Sequence, residues 1–187
     1  MTKSGRQEAS RRGQRSEGLT KTINALPEYC RKAIVILGCG NVLFGDDGFG
    51  PAVVSYLLSH YRIPEDMAVV DAGTGVREIL MDLALSEEKP KKLILVDVME
   101  ADQPPGTITI LTPDSLPQSK IAGFSPHQLP TSLLLKELEK SGGVEVILLT
   151  AQPRPLPQEV RIGLSLEVQE AVPRACEFIV GQEIVGL

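Results

Sequence analysis

An α/β domain is predicted for this chain: a single three-layer unit in which a mostly parallel sheet of about five strands is covered by helices on both faces. Three observations carry that expectation. Short runs rich in Val, Ile and Leu alternate with segments of helical period, the pattern of strands buried on both sides. Residues 33–50, AIVILGCGNVLFGDDGFG, form an apolar run that breaks into glycines and ends in two adjacent aspartates where an amphipathic segment begins. Finally, 187 residues with 42% hydrophobic content suffice for one substantial core and are too few for two comfortable ones.

The elements follow in order. Ala33 to Leu37 reads as the first strand, and Gly48 to Tyr61 as a helix with Phe49, Val53, Tyr56 and Leu57 on one side. Met67 to Val70 is a strand ending at Asp71, DAGTG is a turn, and Val76 to Leu85 is a helix with Ile79, Leu80 and Leu83 inward. Lys92 to Val98 forms the third strand, with Asp97 near its carboxyl end. Thr107 to Leu111 alternates Thr and Ile, as an antiparallel edge strand with one exposed face would. A long loop holding Ser125, Pro126 and His127 follows. Thr131 or Ser132 is placed to cap a helix that runs to Lys140 and stops at Gly142 and Gly143. Val144 to Thr150 makes the last strand, and the proline-rich stretch 153–157 is a connector. Ser165 to Ile184 has helical period with Glu167, Glu170 and Glu177 on its wetter side, and Pro173 is expected to kink or restart it.

Charge divides the chain. The first 21 residues hold six Lys or Arg against Glu8 and Glu17, so the acidic character behind the net charge of −5 lies entirely in the body. With almost nothing apolar before Leu19, residues 1–32 are expected to be a flexible basic extension, solvated rather than bound to nucleic acid, ahead of a domain spanning 33–187. No secretory apolar core and no stretch of membrane-spanning length is present, which predicts a cytoplasmic protein with no membrane contact. Cys30, Cys39 and Cys176 are widely spaced and form no CxxC pair, an argument against a disulfide framework or a closed zinc site. Cys39 is the one near the acids, but among apolar neighbours it reads as a small buried residue rather than a nucleophile.

The glycine loop excludes two common nucleotide sites. After Gly38 and Gly40, a dinucleotide fingerprint would put its third glycine where Leu43 stands, and no Gly-Lys-Ser or Gly-Lys-Thr follows. Two acids at the turn would repel a pyrophosphate, so the loop is suited to a cation or to a substrate carrying one.

In open α/β sheets the ligand crevice lies outside the carboxyl ends of the strands, where Asp46, Asp47, Asp71 and Asp97 all fall. Capping or turn formation accounts best for Asp46 and Asp71. Asp97 has less capping work to do, because the Met-Glu after it opens no amphipathic helix. His60, at a helix end, suits the C-terminal dipole. His127, behind a proline in its loop, would alone be a structural histidine; with two carboxylates it completes a set suited to a borderline metal with open positions. No Ser or Cys comes with an evident base, and no HExxH pair would hold a permanent zinc.

From Ala33 to the carboxyl end the chain resembles the nickel-iron hydrogenase maturation endopeptidases. The marks are GCGNVLFGDDGFG in the first loop, DAGTG after the second strand, Asp97 in LILVDV, PPGTI beyond it, and SPHQL around His127. The resemblance implies a single α/β domain with a twisted sheet between helices. It also implies removal of a short C-terminal peptide from a hydrogenase large-subunit precursor after nickel insertion, the substrate's nickel being the recognition signal. It places the metal contacts at Asp47, Asp97 and His127, which are therefore also the expected catalytic residues, with nickel supplied by the precursor and no resident zinc or nucleotide. The first of these positions is Glu in some members and Asp here, one methylene shorter, and Pro130 stands where some have glycine. The DDGFGP form looks most like the branch serving archaeal deazaflavin-reducing hydrogenases. A monomer is expected. The rival readings are a nucleotide-binding α/β enzyme, which predicts nucleotide affinity insensitive to changes at His127, and a non-catalytic assembly chaperone, which predicts a stable complex without loss of precursor mass.

Overall fold

The computed structural model describes residues 27–115 and 129–183, without the side chains of 129–132 and 182–183. A five-stranded sheet is built from β1 (Ile34–Cys39), β2 (Met67–Gly73), β3 (Lys92–Val98), β4 (Ile108–Leu111) and β5 (Glu145–Ala151). Its helices are α1 (Phe49–His60), α2 (Val76–Leu85), α3 (Leu129–Lys140) and α4 (Leu166–Glu183). The strand order is β2-β1-β3-β5-β4, parallel except for β4, which pairs antiparallel with β5 at the edge.

Alternation along the strands distributes the core between two layers. Val35, Leu37, Leu93, Leu95, Val146 and Leu148 face the layer made by α2 and α3, with Leu80, Leu83, Leu135 and Leu138 buried against them. Ile36, Ile94, Val96 and Leu149 face the opposite layer, where α1 contributes Phe49, Val53 and Leu57 and α4 contributes Val168, Val172 and Ile179. The helix sides expected from periodicity are therefore the buried ones, and Glu170 and Glu177 lie on the exposed side of α4. Just before the sheet, Glu28–Arg31 forms a 3-10 turn whose Cys30 is buried with the first layer.

Element limits moved for physical reasons. β1 extends past Leu37 to Cys39 because neighbours on both sides continue the ladder, with Gly38 opposite both Asp71 and Val96. The α3 helix starts at Leu129, ahead of Thr131 and Ser132, so neither is its cap; Pro130 fits there because first-turn amides have no helical partner to lose. The α4 helix runs through Pro173 as one element and does not restart, its buried face of Val168, Ala171, Val172, Ala175 and Cys176 holding both halves against the sheet.

Candidate functional site

The strand order reverses direction between β1 and β3: the chain leaves β1 for β2 on one side and returns to β3 on the other. At such a switch point the loops leaving the two strands diverge and open a crevice at their carboxyl ends. The loop after β1 carries Asp46 and Asp47, and β3 carries Asp97 near its end.

Backbone geometry shapes the first loop. Gly40 has φ +122°, and a Cβ there would lie 1.8 Å from the carbonyl oxygen of Asp47. Across this close approach, the Asn41 amide donates to both the Asp47 carbonyl, at 3.1 Å, and the Asp47 Oδ2, at 2.8 Å. The Asn41 side chain closes its own turn by accepting from the Leu43 amide at 3.0 Å. Half-buried Asp47 is thus held by a ring of short contacts within residues 40–47. Asp97 is 1% exposed and its Oδ1 accepts from the Val98 amide at 2.7 Å. Asp71 is exposed and accepts from the Gly73 amide at 3.0 Å, the turn role expected for it.

Cys39, at the end of β1, is buried next to the first loop. Burial raises its thiol pKa well above the ordinary value, and the nearby charges of Asp97, Asp71 and Asp47, in that order, raise it further. Cys39 is 1% exposed and protonated at neutral pH, which removes it as a nucleophile. Burial likewise raises Cys176, to about 12. Since the folded state keeps both protons while the unfolded chain releases its own near pH 9, the contribution to stability is complete below that pH and is lost above it. Denaturant titrations should show stability falling from about pH 9 upward, with a shallower fall in a Cys39→Ala/Cys176→Ala variant, and native protein should resist alkylation at neutral pH.

Asp46 does different work from the helix capping expected of it. No side chain caps the 3-10 turn Gly45–Gly48 or α1. Its carboxylate instead accepts from the Arg154 amide at 2.8 Å, the Ser165 amide at 2.6 Å and the Ser165 hydroxyl at 2.9 Å. Only 4% exposed, it fastens the connector between β5 and α4 to the first loop. A second fastening lies alongside, where the Gly45 amide donates to the Arg161 carbonyl at 2.7 Å and the Arg161 amide to Leu43 at 2.8 Å. Proximity of Asp46 to a helix start in the sequence favours a cap, but two backbone amides more than a hundred residues away, at Arg154 and Ser165, take its carboxylate instead. Ser165, read only as a helix start, carried no signal of this. Asp46→Ala leaves those donors unsatisfied and should cost about 3 kcal/mol in urea unfolding; Ser165→Ala, which keeps the amide bond, should cost less than half as much.

Of the expected metal contacts, Asp47 lies in the loop after β1 and Asp97 near the end of β3, and His127 lies outside the described residues. Among the described residues, no group of three or more His, Cys, Asp or Glu is placed to hold a metal ion. His60 is exposed on α1, bonded through Nδ1 to the Tyr56 carbonyl at 3.0 Å and stacked on the Tyr56 ring, as expected of a helix-end residue.

Residues 51–182 match the family model described as hydrogenase maturation protease. The chain belongs to that family. It is 41% identical, over 81% of its length and 97% of the relative's, to a Methanocaldococcus jannaschii protein named for hydrogenase maturation proteolysis. To the coenzyme F420 hydrogenase subunit delta of Methanothermobacter thermautotrophicus it is 33% identical, over 80% of this chain and 93% of the other. Among solved structures, the hydrogenase maturating endopeptidase HybD from E. coli superposes with a TM-score of 0.64 at 27% identity, covering 82% of this chain and 93% of that one. This hydrogenase maturation protease is accordingly a peptide hydrolase, and the family's sheet and helices are those described above. No helix among the described residues is long and apolar enough to cross a membrane.

Proposed function

We propose that this endopeptidase removes a short C-terminal peptide from the precursor of a nickel-iron hydrogenase large subunit, and that nickel already held by the precursor is what it recognises. What supports the reading is that Asp47, in the loop after β1, and Asp97, near the end of β3, stand at the carboxyl ends of two paired parallel strands in a hydrogenase maturation protease. Carboxylates are hard donors with charge to offer a divalent ion, and the imidazole of His127 is the third contact in this reading. Nickel brought by the substrate polarises the scissile carbonyl or acidifies a water, and a carboxylate is available as base. Because all the metal comes with the precursor, cleavage is tied to completed insertion. Similarity to the coenzyme F420 hydrogenase subunit delta supports a client of the deazaflavin-reducing type.

Intact-mass measurement of a candidate precursor, loaded with nickel or left empty, tests the reading directly. Loss of a short C-terminal fragment is expected only with nickel and only with this protein present. A stable complex without mass loss would make it a chaperone, and equal cleavage of the empty precursor would remove nickel as the signal.

A further inference from the structure

Beside the crevice, the first loop and the connector enclose a cavity of about 330 Å³. Its walls include Asp46 and Gly45 from the loop and Arg161, Ile162, Leu164 and Leu166 from the connector and the start of α4. The surroundings are unusually apolar for a surface. Half of the large apolar side chains exposed among the described residues lie on these two segments: Val42, Leu43, Val160, Ile162 and Leu166, with Ile162 78% and Leu166 75% exposed. The segments are joined in space as well, since a Cβ on Gly48 would touch both Val42 and Leu164 within 4 Å, and Leu43 is bonded to Arg161 through the backbone. Clustered exposed apolar side chains around a concavity mark a surface that a partner covers.

Charge narrows the partner. Asp46 is saturated by its three bonds, and Arg154 is neutralised by Glu167 at 2.6 Å. Exposed Arg161 has no ion pair among the described residues and leaves one uncompensated cation at the edge of a cavity with an apolar rim, in a chain whose body is acidic. We infer that this cavity is a substrate subsite that receives an extended segment of the precursor polypeptide, an apolar residue set against the exposed Ile162 and Leu166 and an acidic side chain beside Arg161. The assignment rests on the peptide-processing reading above. It gives Asp46 a double consequence: the residue before Asp47 also fastens the wall of the subsite, so the docked chain and the acids share one rigid support. Arginine suits the role because its planar fork engages a carboxylate through two donors without losing its charge.

The test separates docking from chemistry. With nickel-loaded precursor, Ile162→Asp and Arg161→Glu should each raise KM about tenfold or more and leave kcat within twofold, the signature of binding that is equal in the ground and transition states. Arg161→Glu should also weaken the salt dependence of KM. Leu85→Ser, a change at another exposed apolar side chain at the far end of α2, should leave KM unchanged. Melting temperatures of all three should match the parent, because the altered side chains are exposed. Unchanged KM in Ile162→Asp and Arg161→Glu, or a fall confined to kcat, overturns the subsite. Calorimetric binding of the same precursor is measured in parallel: a wild-type protein that binds without cutting, with binding lost in Ile162→Asp, would overturn the processing reading and leave the subsite standing.

Discussion

Asp97→Asn is expected to reduce precursor processing at least about 100-fold, equivalent to about 3 kcal/mol of lost transition-state stabilisation, with little change in stability. The substitution is nearly isosteric. Its remaining carbonyl oxygen can still accept from the Val98 amide at the end of β3. What disappears is a negative charge in a site that is almost wholly removed from water, where a charge acts on a bound cation far more strongly than at the surface. His127→Ala should be as damaging if the imidazole is the third contact. Processing rates by intact mass, set beside melting curves of the same preparations, read both quantities. Normal processing by either variant would remove that residue from the metal-contact model.

Gly50→Ala should unfold or severely weaken the protein. A Cβ at this position would lie 2.2 Å from the Cys39 carbonyl oxygen, 2.4 Å from the Cys39 nitrogen and 2.5 Å from the Val96 carbonyl oxygen. All three atoms are backbone of the paired strands β1 and β3, so no side chain can rotate away, and α1 must lift off the sheet. Gly38 presents the same contact from the other side, its missing Cβ falling 2.4 Å from the Gly50 carbonyl. The expected cost is about 3 kcal/mol or more, near 10 °C of Tm for a chain of this size. Because α1 begins directly after the acid pair, processing should fall along with stability. Gly181→Ala provides the contrast: nothing lies within 4 Å of a Cβ there, and in the last turns of α4 alanine should be neutral or slightly stabilising.

Those two glycines also show how much of the fold was legible beforehand. Apolar runs and helical spacing predicted the five strands, the antiparallel edge at β4 and the buried sides of α1 and α2, because each depends on a period that the local chain displays. The α2 limits and the β3 limits were met residue for residue. The glycines of the first loop announced close packing in some form, but not that Gly38 and Gly50 face each other, which depends on how α1 crosses β1 and β3.

The candidate site divides in the same way. Asp47 and Asp97 could be singled out from position alone, one at a strand-to-helix turn and the other at a strand end with no helix to cap. The strand order sets them at the carboxyl ends of the paired strands β1 and β3. Asp46 was misread because capping is a local argument and the partners that won, the Arg154 amide and Ser165, are remote. His127, named by its motif, lies outside the described residues.

By itself, the order of residues determined the class of fold, the limits of most elements and the acids offered to the crevice, since periodicity, turn chemistry and charge are written in neighbouring positions. Tertiary structure alone decided which acid fastens the connector, why glycine is obligatory where α1 meets the sheet, and that a cavity opens between the first loop and the connector. Each of these depends on distances between segments more than a hundred residues apart or on backbone atoms meeting across layers, and no local pattern encodes such distances.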